Sequence, residues 1–201
     1  WPGSATQAAD DPLQQHMAGV RQRRRERVQE IGARLARRAR LDGTALAQQV
    51  LDASAVPTRA HVARQLVAAG HATDVQDAFD RFLGRGQAGH VPVEWPDLPQ
   101  TLAAIRAAGA LPVLAHPHRY KLSAGALRNL LGEFRDGGGI AMEISVGGMA
   151  RSDLDRLATL ARRIGLAGSA GSDFHDPAVP WNPPGRFAKL PADIAPIAQH
   201  L

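Results

Sequence analysis

The sequence predicts an α/β chain, with a helical amino-terminal half followed by parallel strand and helix units, and three observations carry that prediction. Apolar residues recur at helical spacing as far as about residue 83. A Gly- and Pro-rich stretch, "LGRGQAGHVPVEWPDLP", then interrupts the pattern. Beyond it the short runs "LPVLAH", "IAMEIS" and "LAGSAG" alternate with amphipathic segments and recur about every 28 residues, close to the length of one βα unit.

Each element has a local reason. From Leu13 to about Arg40 a helix is expected, with Val20, Arg24, Arg27, Val28, Ile31 and Leu35 on or near one stripe. Residues 44–53 form a second helix, and a third is opened by Pro57, which suits a first helical turn, and ended by Gly70. Thr73 with Gln76 three residues later reads as a capping box for a helix reaching Leu83. The boundary falls near residue 97, so 1–97 is a helical subdomain and 98–201 a set of βα units with helices at 99–108, 123–135 and 152–164. Three strands are too few to close a barrel, which needs about eight, and they make a poor open sheet. Further strands are therefore expected ahead of Trp1, and "WPGSATQAADDP" reads as a loop entered midway.

Composition narrows the chemistry. The chain has 201 residues, 44% of them hydrophobic, which is enough for a core in one or two domains. No run approaches the roughly 20 apolar residues of a membrane span and no signal-peptide core opens the chain, so the cytoplasm is the expected compartment. With no cysteine, disulfides, thiolate ligands and a Cys nucleophile are excluded, and any metal must be held by His and carboxylate groups. A net charge of +5 suits an anionic partner such as a nucleotide or RNA, although a GC-rich genome also enriches arginine.

The three strands end in "AHPHRY", "MEISVGG" and "GSAGSDFH". In a parallel array the carboxyl ends lie on one side, so His116, Glu143, Asp173 and His175 are expected on one rim. Imidazole and carboxylate there suit Zn, Mn or Fe. Taken singly, each has a plainer reading: a His before Pro as an ordinary hydrogen-bonded residue, Asp-x-His as turn chemistry, Glu143 as an arginine's partner. Arg59 and His61 at a helix start attract phosphate oxygens or are exposed first-turn residues. "RQRRRER" is either a solvated helix face or an RNA grip. His16, His71 and His200 read as surface residues and His90 as a connector, and no Walker-A, GxSxG or HExxH pattern is present.

In this order "TRAHVARQLV", "FLGRGQAGHVP", "AAGALPVLAHPHRY", "MEISVGG" and "GSAGSDFH" resemble the polymerase and histidinol phosphatase (PHP) family, in its branch of nucleoside 3',5'-bisphosphate phosphatases and 5'-to-3' exoribonucleases. The resemblance implies the carboxyl-terminal part of a distorted (β/α)7 barrel with a helical insertion. It implies two or three divalent metal ions, Mn first, with Zn, Fe and Mg as alternatives. His116, Asp173 and His175 match the family's metal-binding and catalytic positions, and Arg59, His61 and Arg119 match positions facing substrate phosphates. The implied partner is a nucleoside bisphosphate or short RNA, with no membrane, and hydrolysis by a metal-activated water. Glu143 matches an acidic position to which no ligand role is carried.

Two departures stand out. His118 replaces a glycine of the family's "HPGRY", and either His118 or His175 could protonate the leaving oxygen. The family's amino-terminal ligands are not among these residues, so the missing half of the same barrel is an expected partner and the chain alone is expected to turn over weakly. Two other readings are carried: a basic RNA-binding module without catalysis, and an amidohydrolase-type metal hydrolase. The second commonly uses a strand-end lysine, whereas Lys121 and Lys189 fall in loops.

Overall fold

Asp11 opens the first helix: its side chain accepts the Leu13 N–H at 2.9 Å, and Pro12 takes a position where the missing N–H costs nothing. The computed structural model describes residues 11–174 and 183–200. In it α1 (Pro12–Arg34) passes into a π-type turn, Leu35–Ala39, which Arg40 ends at φ 56°. Then come α2 (Gly43–Ala53), capped by Asp42, α3 (Arg59–Ala68), and the short α4 (Val75–Ala78), which continues as a π-type turn over Phe79–Leu83.

Two helix starts differ from expectation. Thr58 caps α3, so Pro57 lies buried just before the helix and not in its first turn, because the Thr58 hydroxyl can accept the His61 N–H. Asp74 caps α4 in place of Thr73, accepting the Asp77 N–H at 2.9 Å, while the Thr73 N–H donates to the Asp77 carboxylate. A carboxylate is the stronger acceptor for a helix's first amides.

The chain divides into two units, residues 1–96 and 97–201, and each has its own core. In the helical unit Val28, Ile31 and Leu35 of the expected α1 stripe meet Leu46, Val50, Leu66 and Leu83. Helices α1 and α2 approach closely because Gly32 and Gly43 face each other, and a Cβ on either would overlap the other's carbonyl oxygen.

In the second unit α5 (Leu98–Ala107), capped by Asp97, leads to β1 (Val113–Leu114), α6 (Ala124–Asp136), β2 (Ala141–Val146), α7 (Arg151–Ile164) and β3 (Ala167–Gly171). The sheet order is β1-β2-β3 and both pairings are parallel, as the strand and helix alternation predicts. Strand β1 is shorter than "LPVLAH" suggests, since the backbone turns at His116 into a 3-10 turn over Pro117–Arg119. Met142 and Ile144 of β2 pack with Leu131, Phe134, Leu157 and Leu102, and strand alternation directs Glu143 between them to the opposite face. Ser145, buried on β2, donates its hydroxyl to the Ala188 carbonyl at 2.6 Å. Gly168 is a packing requirement, since a Cβ there would lie 2.7 Å from the Ile194 side chain.

Candidate active site

Two backbone oddities mark the ends of β1 and β3. His116 sits at φ 33° and Asp173 at φ 54°, and among the described residues the only other non-glycine with positive φ is Arg40. His and Asp are among the residues that visit this region most readily, yet each such placement costs about 1–3 kcal/mol. The surrounding contacts supply that energy. The His116 N–H donates to Glu143 Oε2 at 2.7 Å, so the carboxylate on the middle strand fixes the turn after the first. Arg119, at the end of the same turn, pairs with the Asp173 carboxylate. Tyr120 packs edge-on against the His116 ring at 6.2 Å between centroids and donates its hydroxyl to the Ala115 carbonyl at 2.9 Å.

The polar groups here are unevenly satisfied. The Nδ1 atoms of His116 and His118 are buried without a hydrogen-bond partner among the described residues. Burial, then the neighbouring Arg119, pushes the His118 imidazole below its ordinary pKa, disfavouring its charged form. Burial and then the Glu143 charge push the Tyr120 phenol up.

The structure thus gathers His116, Arg119, Glu143 and Asp173 at one edge of the sheet. Glu143 differs from the expected placement: it lies inside β2 rather than at or past its end, and it reaches the rim through its side chain. His175, the third expected ligand, lies outside the described residues. Among the described residues no three His, Asp or Glu side chains gather closely enough to hold a metal ion.

Arg59 and His61 lie in the helical unit. The His61 N–H reaches the Thr58 hydroxyl, and in return the Thr58 N–H donates to His61 Nδ1 at 3.1 Å, completing a capping box. Nδ1 is therefore an acceptor and the neutral ring carries its proton on Nε2. Arg59 lies over the Phe79 ring at 5.5 Å and lines a cleft of about 280 Å³ with Arg24, Arg27, Thr58 and Trp95; His61 is not among the lining residues. Arg24 and Arg27 were legible on the α1 stripe, where polar residues adjoin core positions. Trp95 carried no signal, because only the fold brings it to α1.

No described helix is long and apolar enough to cross a membrane. No protein-family model matches the chain. It is 39% identical over 183 residues to the 5'-3' exoribonuclease Rnm of Escherichia coli, a match covering 91% of this chain and 62% of that protein. It is 31% identical over 199 residues to a 3',5'-nucleoside bisphosphate phosphatase of Chromobacterium violaceum, covering 99% and 70%. Among solved structures it resembles a Chromobacterium violaceum amidohydrolase with bound sulfate and no metal, at TM-score 0.80 and 30% identity over 95% of this chain and 66% of that one. It also resembles a Bifidobacterium adolescentis protein inferred to be a metal-dependent phosphoesterase, at TM-score 0.69 and 25% identity over 95% and 65%. The chain thus spans about 62% of the length of its exoribonuclease relative. The agreement of these matches with the five motifs shows that the chain belongs to the PHP family, in the branch holding 5'-3' exoribonucleases and 3',5'-nucleoside bisphosphate phosphatases.

Proposed function

We propose that this chain carries metal-ligating and phosphate-binding parts of a phosphoesterase that hydrolyses nucleoside 3',5'-bisphosphates or removes nucleotides from RNA 5' ends. The observation that carries the reading is the pair of left-handed residues, His116 and Asp173, at the ends of two strands of one parallel sheet and tied together through Glu143 and Arg119. Strain held in place by long-range partners is characteristic of sites where position matters more than stability.

The donor types suit a divalent cation. His116 offers a buried Nδ1 that has no other partner among the described residues, Asp173 offers a carboxylate that is mostly buried, and His175 is the proposed third ligand. When bound, one or more such ions, Mn first, would supply the Lewis acidity that activates water and offsets charge on the phosphoryl oxygens. Glu143 positions His116 through its backbone and so acts on the site indirectly. Arg119 neutralises Asp173 and offers further N–H donors to a phosphate oxygen. His118 beside His116, or His175, would donate a proton to the leaving oxygen. Arg59 beside the capped start of α3 would bind a second phosphate, and His61 would orient that start and present Nε2–H. In this reading the sheet unit belongs to a distorted (β/α)7 barrel and the helical unit to its insertion, working in the cytoplasm.

The test is Mn-dependent release of phosphate from adenosine 3',5'-bisphosphate, with Asp173→Asn as the control. Asparagine keeps the left-handed backbone and removes the charge. Release that needs Mn and vanishes in the variant supports the reading, and an unchanged rate removes Asp173 from it. The amidohydrolase neighbour makes C–N hydrolysis the second reading. Lys121 and Lys189 both lie outside the strands, which leaves that chemistry without its usual lysine bridge. Cleavage of an N-acyl amino acid in the same assay would favour it.

A further inference from the structure

The helical unit holds a concentration of positive charge that its own packing does not use up. Arg24, Arg27 and Arg59 all line the same cleft, together with Val28, Pro57, Phe79 and Trp95, and no carboxylate is among the lining residues. Arg27 spends Nε and one terminal nitrogen on the Val91 carbonyl, at 3.1 and 2.8 Å. Arg24 lies over the Trp95 ring at 5.0 Å, and its Nε is buried without a partner among the described residues. Burial, then Arg59 and Arg24, lowers the Arg27 pKa, so the guanidiniums sense one another. The nearby acids Glu26, Glu30 and Glu94 line a separate groove that Arg27 also borders. Convergent like charges with an orphaned donor are costly unless an anion joins them.

The shape narrows the ligand. At about 280 Å³ the cleft is just below the roughly 300–1,000 Å³ of small-molecule sites, so it takes a single unit of a longer molecule. Trp95 keeps 43% of its surface exposed although an arginine lies on its ring. A flat aromatic beside guanidiniums is the combination that holds single-stranded nucleic acid, the rings stacking bases and the cations following the backbone.

We propose that Arg24, Arg27 and Trp95 form a subsite for single-stranded RNA within the helical unit, the arginines holding an internucleotide phosphate and Trp95 stacking a base. The subsite separates oligonucleotide from mononucleotide substrates, and it rests on the phosphoesterase reading above only for the identity of the reaction. Part of the arginine run that reads as a plain solvated face is thereby given a ligand.

The test is fluorescence anisotropy of a 3'-labelled, 5'-phosphorylated pentaadenylate with the 201-residue chain in EDTA, with adenosine 3',5'-bisphosphate as competitor. The wild type should bind the pentamer more than about ten-fold tighter than the bisphosphate, the scale of one stacked base or charge-assisted contact. Arg24→Ala and Trp95→Ala should each remove most of that preference, and Arg24→Ala should also shallow the salt dependence by about 0.7 in log–log slope. Arg64→Ala, an exposed charge on α3 outside the cleft, should leave the preference intact and so separates a site from net charge. Trp95→Phe, which keeps an aromatic face, covers the case in which the alanine variant unfolds and should retain most of the preference. Equal loss of pentamer and bisphosphate, or a preference unmoved by Arg24→Ala, overturns the proposal. Because EDTA removes metal, the RNA preference is read apart from hydrolysis: a preference lost in Arg24→Ala leaves the subsite standing even where the complete barrel shows no Mn-dependent hydrolysis and the phosphoesterase reading falls, and hydrolysis by the complete barrel with an unmoved preference does the reverse.

Discussion

The helical and sheet units employ the same polar residue types to different ends. In the helical unit acids serve the local chain, with Asp11, Asp42 and Asp74 each capping the helix that follows. Its arginines hold a connecting segment, Arg27 through the Val91 carbonyl and Arg34 through the His90 carbonyl at 2.5 Å. In the sheet unit Glu143 and Asp173 instead fix strand ends whose backbone is strained, using partners 27 and 54 residues away. A polar group satisfied within one helical turn is explained by that turn. One that holds a strained residue from far along the chain is explained only by the tertiary fold, and it is there that the proposed site lies.

Four perturbations break or sharpen that contrast, taken from the largest expected effect. Leu66→Ala in the helical unit and Leu131→Ala in the sheet unit remove fully buried side chains, and each should cost about 2–5 kcal/mol by urea titration. A loss below about 1 kcal/mol at either would show that its core is not the separate body described. Next, Asp173→Asn should lower Mn-dependent hydrolysis by about 100-fold, with far-UV circular dichroism unchanged, whereas Asp74→Asn should leave the rate alone because asparagine still caps. If both lower the rate alike, the distinction between capping and site carboxylates fails.

Third, Glu143→Gln keeps an acceptor for the His116 N–H and removes its charge, which should weaken Mn binding by about ten-fold, measured by isothermal titration, and lower stability by about 1 kcal/mol. The smallest effect belongs to the surface pair of Arg162 and Asp193. The Arg162 hydrogen bond holds the Asp193 carboxyl below its ordinary pKa. Its folded value being lower than its unfolded one, the pair's contribution is full above about pH 4 and is lost as pH falls through the folded value. Arg162→Ala should therefore narrow the stability difference from wild type on acidification, followed by thermal melts between neutral and acid pH.

Much of this was legible in the sequence, and the exceptions have causes. The parallel strands at 113, 141 and 167 follow from a periodicity that changes from helical to alternating, which is local information. So does the α1 stripe of Val28, Ile31 and Leu35. The caps were misplaced by one residue because Thr73 and Asp74 are both competent and only geometry chooses between them. Glu143 was placed at the rim for the wrong reason: its position along β2 is internal, and its reach depends on where β1 stops. The positive φ at His116 and Asp173 could not be read at all, since neither is glycine and the strain is imposed by distant partners.

The bonds from Arg27 to Val91 and from Arg34 to His90 also bear on how the chain folds. They close separations of 64 and 56 residues, so their loop-closure entropy must be met before they form. Helix α1 can coil from its own sequence within microseconds, while its guanidiniums wait for the remainder of the helical unit to arrive. A chain emerging from the ribosome therefore displays Arg27 and Arg34 without these partners until residue 91 is synthesised.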